Sequence, residues 1–351
     1  MWKRTLMRKL EDFENPRIVP LHDELFGASF FLMKLLPARF MLERAVENGL
    51  LKPGATICES LSGSFGLALA MLAVQYRYKL ILVSDWTIDQ RLHRRLVQLG
   101  ANVEIVEKPA AAGGFQQARL DRIAIYLEEI SDSYWPAQYS NPDNPISYSK
   151  FAEQLIDRVG KVDCLVGPVG SGGSMCGTCS YLRVLFPELY AIGVDAPNSV
   201  LFGQPSGRVN HLSGLGGDII PANVDHTQFD EIHWMIPAET FRATHRLHRE
   251  HGLFMGPTSG AAYGVANWWS RRNPGKTVVA IFPDEGNRYV ETVYDHQWLT
   301  TVPEWSGTPA EEPSPITTPT EDLTRWSSFS WNRRTLSEVL SEAKSGGDVF
   351  R

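Results

Sequence analysis

The chain has 351 residues, which is enough for two domains around one cleft. Hydrophobic residues make up 43% of it and charged residues 21%, and the formal net charge of -6 comes without a basic tract, so we expect no nucleic-acid partner. No stretch is long and apolar enough to predict a membrane span, and residues 1–10 lack the features of a signal peptide, so we expect a cytoplasmic location and no membrane partner.

Through the middle of the chain, short apolar runs alternate with longer segments that have the apolar periodicity of helices. The runs predict strands at residues 79–84, 103–106, 164–166, 190–194 and 277–282. The periodic segments predict helices at residues 66–75, 90–99, 148–159 and 238–251. Strands and helices in alternation indicate βαβ units and a mainly parallel sheet, which places ligands at the carboxyl ends of its strands.

The character of the sequence changes near residue 301. Residues 301–324 are crowded with Pro, Thr, Ser and Glu and have no periodicity, which predicts a flexible linker. A short amphipathic helix is predicted after it, at residues 335–344. We therefore expect residues 301–351 to form a flexible tail that is peripheral to the chemistry.

The strongest functional signal is the run of glycines and serines at residues 167–174, between the predicted strand 164–166 and a predicted helix at 175–182. Successive backbone N–H groups and two hydroxyls could wrap a phosphate there. The run lacks the lysine of a P-loop and the spacing of a dinucleotide-binding loop. It therefore predicts a site for a cofactor with a single phosphate, and a glycine-rich turn without a ligand is the alternative.

A second loop, at residues 59–66, carries serines directly before a predicted helix. Its hydroxyls and the free N–H groups of the helix suit a substrate carboxylate, although helix capping by Ser62 or Ser64 explains the serines equally well. Two further glycine-containing loops, at residues 256–262 and 283–289, are weak signals when taken alone.

Cys176 and Cys179 are spaced as a redox or metal-binding pair would be. No second pair of this kind exists in the sequence, and small residues that pack a helix onto a sheet are the favoured interpretation. We predict no metal site.

In their order and spacing, these loops resemble the fold-type II pyridoxal 5′-phosphate (PLP) enzymes of the cysteine synthase and cystathionine β-synthase family, over roughly residues 15–300. Residues 170–174 closely resemble that family's GTGGT phosphate loop. Other segments resemble, in chain order, its GLLKPG (49–54), PTSGNTG (60–66), GIGAG (214–217), GISSGAA (256–262) and PDSGERY (283–289) motifs.

The resemblance implies an α/β fold of two lobes, each with a mainly parallel sheet flanked by helices, as in the tryptophan synthase β chain. Residues 38–137 would form a small, mobile substrate lobe. Residues 1–37 and 138–300 would form a large lobe that binds PLP, with residues 301–351 as the tail. Small amino acids would be the substrates, and we expect a homodimer.

The resemblance also implies roles for individual residues. The cofactor phosphate would lie on Gly170, Ser171, Gly172, Gly173 and Ser174. Thr258 would face the pyridine nitrogen, where a neutral hydroxyl favours elimination over transamination. The substrate would contact Ser62, Gly63, Ser64, Phe65, Gln138 and Gly214. Ser64 would also lie near the ring hydroxyl of PLP, where the family has asparagine, so that contact is either lost or bridged by water.

In this family one lysine holds PLP and moves the substrate α-proton. Counting back from Gly49 without gaps places Lys34 on that lysine. However, about ten residues of the family's strand and loop are missing before it, and residues 30–33 predict a strand that Lys34 directly follows. Lys34 is therefore either the catalytic, PLP-binding lysine or a strand-end lysine, and in the second case no such lysine remains.

Four shorter stretches, at residues 100–104, 113–115, 134–139 and 293–299, resemble the N-(2-amino-2-carboxyethyl)-L-glutamate synthase branch, which joins an O-phosphoserine-derived fragment to glutamate in siderophore pathways. The implied function is β-replacement on an activated serine, O-acetylserine or O-phosphoserine, through an aminoacrylate. The nucleophile would be sulfur or an amine, in specialised amino-acid or siderophore biosynthesis. Two alternatives stay open: a catalytically degenerate relative that acts as a binding or regulatory protein, and an amino-acid dehydratase of the same fold.

Overall fold

Two sheets organise the protein, whose computed structural model describes residues 10–61, 63–207 and 214–346. The strands are β1 (Arg17–His22), β2 (Leu25–Ser29), β3 (Thr56–Ser60), β4 (Lys79–Asp85), β5 (Asn102–Val106), β6 (Ser133–Tyr134), β7 (Cys164–Pro168), β8 (Tyr190–Asp195), β9 (Glu231–Trp234), β10 (Val278–Phe282), β11 (Ser314–Pro315) and β12 (Ser327–Ser330). The helices are α1 (Glu11–Glu14), α2 (Leu35–Glu47), α3 (Ser64–Tyr76), α4 (Gln90–Gln98), α5 (Gly114–Glu129), α6 (Asp143–Ser147), α7 (Ser149–Val159), α8 (Gly173–Leu185), α9 (Pro237–His251), α10 (Pro257–Arg272), α11 (His296–Leu299) and α12 (Leu336–Gly346). None of the helices in the described part of the chain combines the length and the apolarity that crossing a membrane requires.

The larger sheet has the strand order β1-β2-β10-β7-β8-β9-β12-β11, and the protein around it is the large lobe. The neighbouring strands β2, β10, β7, β8 and β9 run parallel to one another. On either side of them, β1 pairs antiparallel with β2 and β12 pairs antiparallel with β9. The smaller sheet, β5-β4-β3-β6, is parallel throughout and forms the small lobe. The predicted α/β fold with two mainly parallel sheets flanked by helices is confirmed.

The strands and helices predicted through the middle of the chain are all present, with small shifts of their bounds. The apolar runs were informative because β7 and β10 lie inside the larger sheet and are buried along their whole length. The strands of the smaller sheet fall between residues 56 and 134, within the small lobe predicted at residues 38–137. The lobe boundaries themselves stay a prediction.

The predicted strand at residues 30–33 is wrong. β2 ends before it, Leu32 makes only an isolated bridge to Asp284, and the chain turns at residues 33–34, where the Met33 amide donates to the Pro283 carbonyl at 2.8 Å. They are apolar because two cores meet there: Met33 packs in the core of the large lobe and Leu32 in the core of the small lobe. Lys34 therefore lies in a turn and directly precedes α2, so it is not a strand-end residue.

The expected flexible tail is also wrong for much of residues 301–346. β12 pairs antiparallel with β9 and so extends the larger sheet. Trp326 is buried, and its indole N–H donates to Nδ1 of His233 at 2.9 Å. Trp331 is fully buried and packs edge-on against Phe202, with ring centroids 5.2 Å apart. Only the helix predicted at residues 335–344 is confirmed, as α12.

We predict that Trp331→Ala lowers the free energy of unfolding by about 3–5 kcal/mol, because the indole fills a site that smaller side chains leave empty. The matched control is Trp86→Ala, since the Trp86 side chain is 66% exposed and its loss should change stability by less than about 0.5 kcal/mol. Chemical denaturation of the two variants measures both values. Equal, small effects would show that the tail does not belong to the core.

Candidate active site

Lys34 lies at the start of α2, where the chain passes from the large lobe into the small lobe. Its Nζ atom donates to the hydroxyl of Ser171 in the glycine-rich loop, at 3.1 Å. Burial lowers the pKa of the Lys34 amine to about 8. A larger neutral fraction is therefore available near physiological pH than an exposed lysine provides, which suits a nucleophilic amine.

The glycine-rich loop connects β7 to α8 and has the backbone geometry of an anion site. Gly172 precedes the helix with φ +83°, and no side chain caps the helix start. The N–H groups of the first turn have no acceptors within the helix, so they can bind an anion such as a phosphate. A side chain at position 172 would come within 2.5 Å of the Asn223 carbonyl oxygen, which is why only glycine fits.

Asn144, which no motif in the sequence indicated, supports this loop from behind. Its side-chain N–H₂ group donates to the Ser171 hydroxyl at 3.2 Å and to the Gln138 carbonyl at 2.6 Å. A Cβ atom on Gly173 would overlap the Asn144 amide. Asn144 therefore fixes both the hydroxyl that Lys34 contacts and the path of the loop.

The predicted carboxylate loop connects β3 to α3. Gly63 precedes the helix with φ +80°, again without a side-chain cap, and Ser64 begins the helix. Ser62 lies outside the described residues. The ring of Phe65 packs in the small-lobe core and does not line the cleft, so only its backbone amide is available to a ligand.

A cleft of about 560 Å³ separates the two loops and is lined by both lobes. It brings together most of the residues predicted from the sequence: Lys34, Gly63, Ser64, Gln138, Gly170, Ser171, Ser174, Gly214 and Thr258. Gly172 and Gly173 shape the loop from behind and are not among the lining residues. A buried amine, an uncapped helix start and a neutral hydroxyl in one cleft fit the aldehyde, phosphate and pyridine nitrogen of PLP.

Charged residues of the cleft were also missed. Arg288 donates to the Ser64 hydroxyl at 3.1 Å and lies 3.5 Å from the carboxylate of Asp284. Arg119 donates to a carboxylate oxygen of Asp85 at 3.0 Å. Charged side chains usually face solvent, so the residue types alone did not distinguish these arginines and aspartates from ordinary surface residues. The one available signal was the position of Arg288 in the 283–289 motif.

The cysteine pair has no sign of redox or metal chemistry. Both Cys176 and Cys179 are buried, and burial raises the pKa of the Cys179 thiol to about 12, so the reactive thiolate is disfavoured. Across the described ranges, no group of three His, Cys, Asp or Glu residues is arranged to hold a metal ion.

Comparison with known sequences gives two matches. Residues 19–284 match the family described as pyridoxal-phosphate dependent enzymes. The chain is also 33% identical, over 272 residues, to an N-(2-amino-2-carboxyethyl)-L-glutamate synthase of Cupriavidus metallidurans. That alignment covers 76% of this chain and 80% of the relative.

Solved structures share the fold. An O-acetylserine-dependent cystathionine β-synthase from Helicobacter pylori is 28% identical, with a TM-score of 0.71, over 81% of this chain and 92% of that one. An O-ureido-L-serine synthase gives a TM-score of 0.75 at 24% identity, over 82% of this chain and 94% of the other. Each of these structures is matched over nearly its full length while about a fifth of this chain remains outside the match.

We predict that Gly172→Ala weakens PLP binding at least about tenfold, because the added Cβ forces the phosphate loop away from Asn223. Gly160→Ala is the matched control, since Gly160 has φ +81° but open space around it. Both variants should lose stability because alanine rarely adopts a positive φ, and only the first should lose cofactor. The absorbance of bound PLP measures this, and full cofactor content in Gly172→Ala would contradict the phosphate-loop assignment.

Proposed function

We propose that this chain, which belongs to the pyridoxal-phosphate dependent enzyme family, catalyses β-replacement on an activated serine. PLP is the cofactor of that family and supplies an electron sink for the bond broken at the α-carbon. The observation that carries the proposal is the contact of the Lys34 amine with Ser171, because it brings a proton-transferring group to the phosphate loop.

The residues that would hold PLP are those around this contact. The N–H groups that begin α8, with the hydroxyls of Ser171 and Ser174, would bind the phosphate. Thr258, in the first turn of α10, would face the pyridine nitrogen. A hydroxyl there, unlike a carboxylate, leaves that nitrogen unprotonated, which favours loss of a β-substituent over transamination.

Lys34 would take the proton from the α-carbon of the substrate. The leaving group, acetate or phosphate, then departs from the β-carbon with the bonding electrons. A nucleophile adds to the β-carbon and gives up its own proton, and Lys34 returns a proton to the α-carbon. The net change replaces the leaving group with the nucleophile and leaves the enzyme unchanged.

The small lobe, proposed as residues 38–137, would close the cleft against water so that nucleophile rather than water reaches the β-carbon. A contact between the lobes supports this: the Asp218 amide donates to the side-chain carbonyl of Gln116 at 3.1 Å. Asp218 follows the loop of Gly214, Gln116 lies in the first turn of α5, and both residues line the cleft.

The finer assignment rests on the relatives. The relative that is 33% identical is named for joining a carbon fragment to glutamate, so we propose an amine as the nucleophile, with sulfide as the alternative. We further propose a role in siderophore or other specialised amino-acid biosynthesis, a cytoplasmic location and a homodimer.

We expect purified holoenzyme to convert O-phospho-L-serine or O-acetyl-L-serine, together with L-glutamate or sulfide, into the corresponding β-substituted alanine, measured by mass spectrometry. Lys34→Ala should lower kcat by about a thousandfold, because the group that moves the α-proton is gone. Lys161→Ala, which removes a surface lysine whose side chain is 62% exposed, should have no effect.

Two results would contradict the proposal. Pyruvate and ammonia in place of a substituted alanine would show elimination without replacement, in the manner of a dehydratase-type enzyme. Equal activity in Lys34→Ala and the wild type would remove Lys34 from the reaction.

A further inference from the structure

Arg288 is a largely buried guanidinium with few partners. Its side chain is 15% exposed, yet one of its hydrogen bonds goes to a neutral group, the Ser64 hydroxyl. Its Nε atom is buried and has no hydrogen-bond partner among the described residues. The N–H donors of a buried charged group normally all have hydrogen-bond acceptors, so the Arg288 guanidinium can still bind an acceptor that is not part of the protein.

The guanidinium lies against the start of α3. A Cβ atom on Gly63 would lie 3.2 Å from Nη2 of Arg288, so glycine at this position lets the guanidinium approach the backbone of the loop. The start of a helix carries a partial positive charge, and its first N–H groups are unpaired. A cation at the start of a helix is unfavourable by itself. It becomes favourable when an anion lies between the cation and the helix start.

Two carboxylates of the cleft, Asp284 and Asp89, supply counter-charge to the guanidinium. Asp284 is the nearest carboxylate, 3.5 Å from the guanidinium, and it is held by the hydroxyl of Tyr289, which donates to it at 3.0 Å. Burial raises the pKa of the Asp284 carboxyl, which weakens it as a counter-ion. Arg119, on the other side of the cleft, differs because its carboxylate partner Asp85 is closer, at 3.0 Å.

We infer that Arg288 binds the α-carboxylate of the amino-acid substrate, from the large lobe, while the N–H groups that begin α3 bind it from the small lobe. The inference rests on the proposed function, because that function places an amino acid in this cleft. It makes Arg288 the residue that selects α-amino acids over simple amines.

The test compares two amines that differ by the carboxylate, L-serine and ethanolamine, as ligands of PLP-loaded protein. The change in absorbance of the bound cofactor during titration gives a dissociation constant for each. In the wild type, L-serine should bind more tightly than ethanolamine. In Arg288→Met, L-serine should bind about tenfold to a hundredfold more weakly, because a charge-assisted pair is lost, while ethanolamine binding stays within about twofold. Arg288→Lys should give an intermediate value for L-serine.

Arg91→Met is the control for a general role in joining the lobes. Arg91, in α4, forms an ion pair with Glu291. Their side chains are 38% and 71% exposed, and neither residue lines the cleft. This variant should leave both dissociation constants unchanged. If Arg288→Met weakens both ligands equally, or weakens neither, the carboxylate assignment is wrong.

The outcome is independent of turnover. Wild-type protein that binds L-serine selectively but releases no product from activated serines would refute the proposed β-replacement and leave the role of Arg288 standing. Wild-type protein that makes the product while Arg288→Met keeps its preference for L-serine would refute the role of Arg288 alone.

Discussion

The hydrogen bond between the Lys34 amine and the Ser171 hydroxyl depends on packing at both of its ends. On the lysine side, Leu32 and Leu35 pack in the small-lobe core, whereas Met33 and Leu36 pack in the large-lobe core. Lys34 is thus held at the junction of two hydrophobic cores, and its side chain has little freedom to point elsewhere. The short segment that precedes it ends in a tight turn and places the amine beside Ser171 of the glycine-rich loop.

The cleft is built around helix starts that lack side-chain caps. Gly172 before α8 and Gly63 before α3 both have left-handed backbone, and neither helix gains the cap that serine, threonine, asparagine or aspartate supplies elsewhere. Glycine at these cap positions costs only a few tenths of a kcal/mol relative to such a side-chain cap. Two such helix starts facing one cleft, with Lys34 and Arg288 beside them, supply N–H donors and cationic groups where a phosphate and a carboxylate are proposed to bind.

The parts of the structure that follow a simple pattern of residue types could be predicted from the sequence. Buried parallel strands such as β7 and β10 are continuous apolar runs, and the glycine-rich loop lies between a strand and a helix, so the position of both could be predicted. Residues 30–33 were misread because a buried turn is as apolar as a strand. β12 was missed because its buried aromatic residues are separated by serines in a segment rich in proline. Asn144 and Arg288 were missed because they act through contacts with residues far away in sequence. A local pattern does not encode such contacts, even where, as for Arg288, the residue lies in a recognised motif.

The central claim is that Lys34 is the lysine that carries PLP. Borohydride reduction of the holoenzyme makes the bond between lysine and cofactor permanent, and peptide mapping by mass spectrometry then locates the added pyridoxyl group. The account predicts that this mass lies on the peptide that contains Lys34 and is absent from that peptide without reduction. A pyridoxyl group on any other lysine, or on none, would contradict the account.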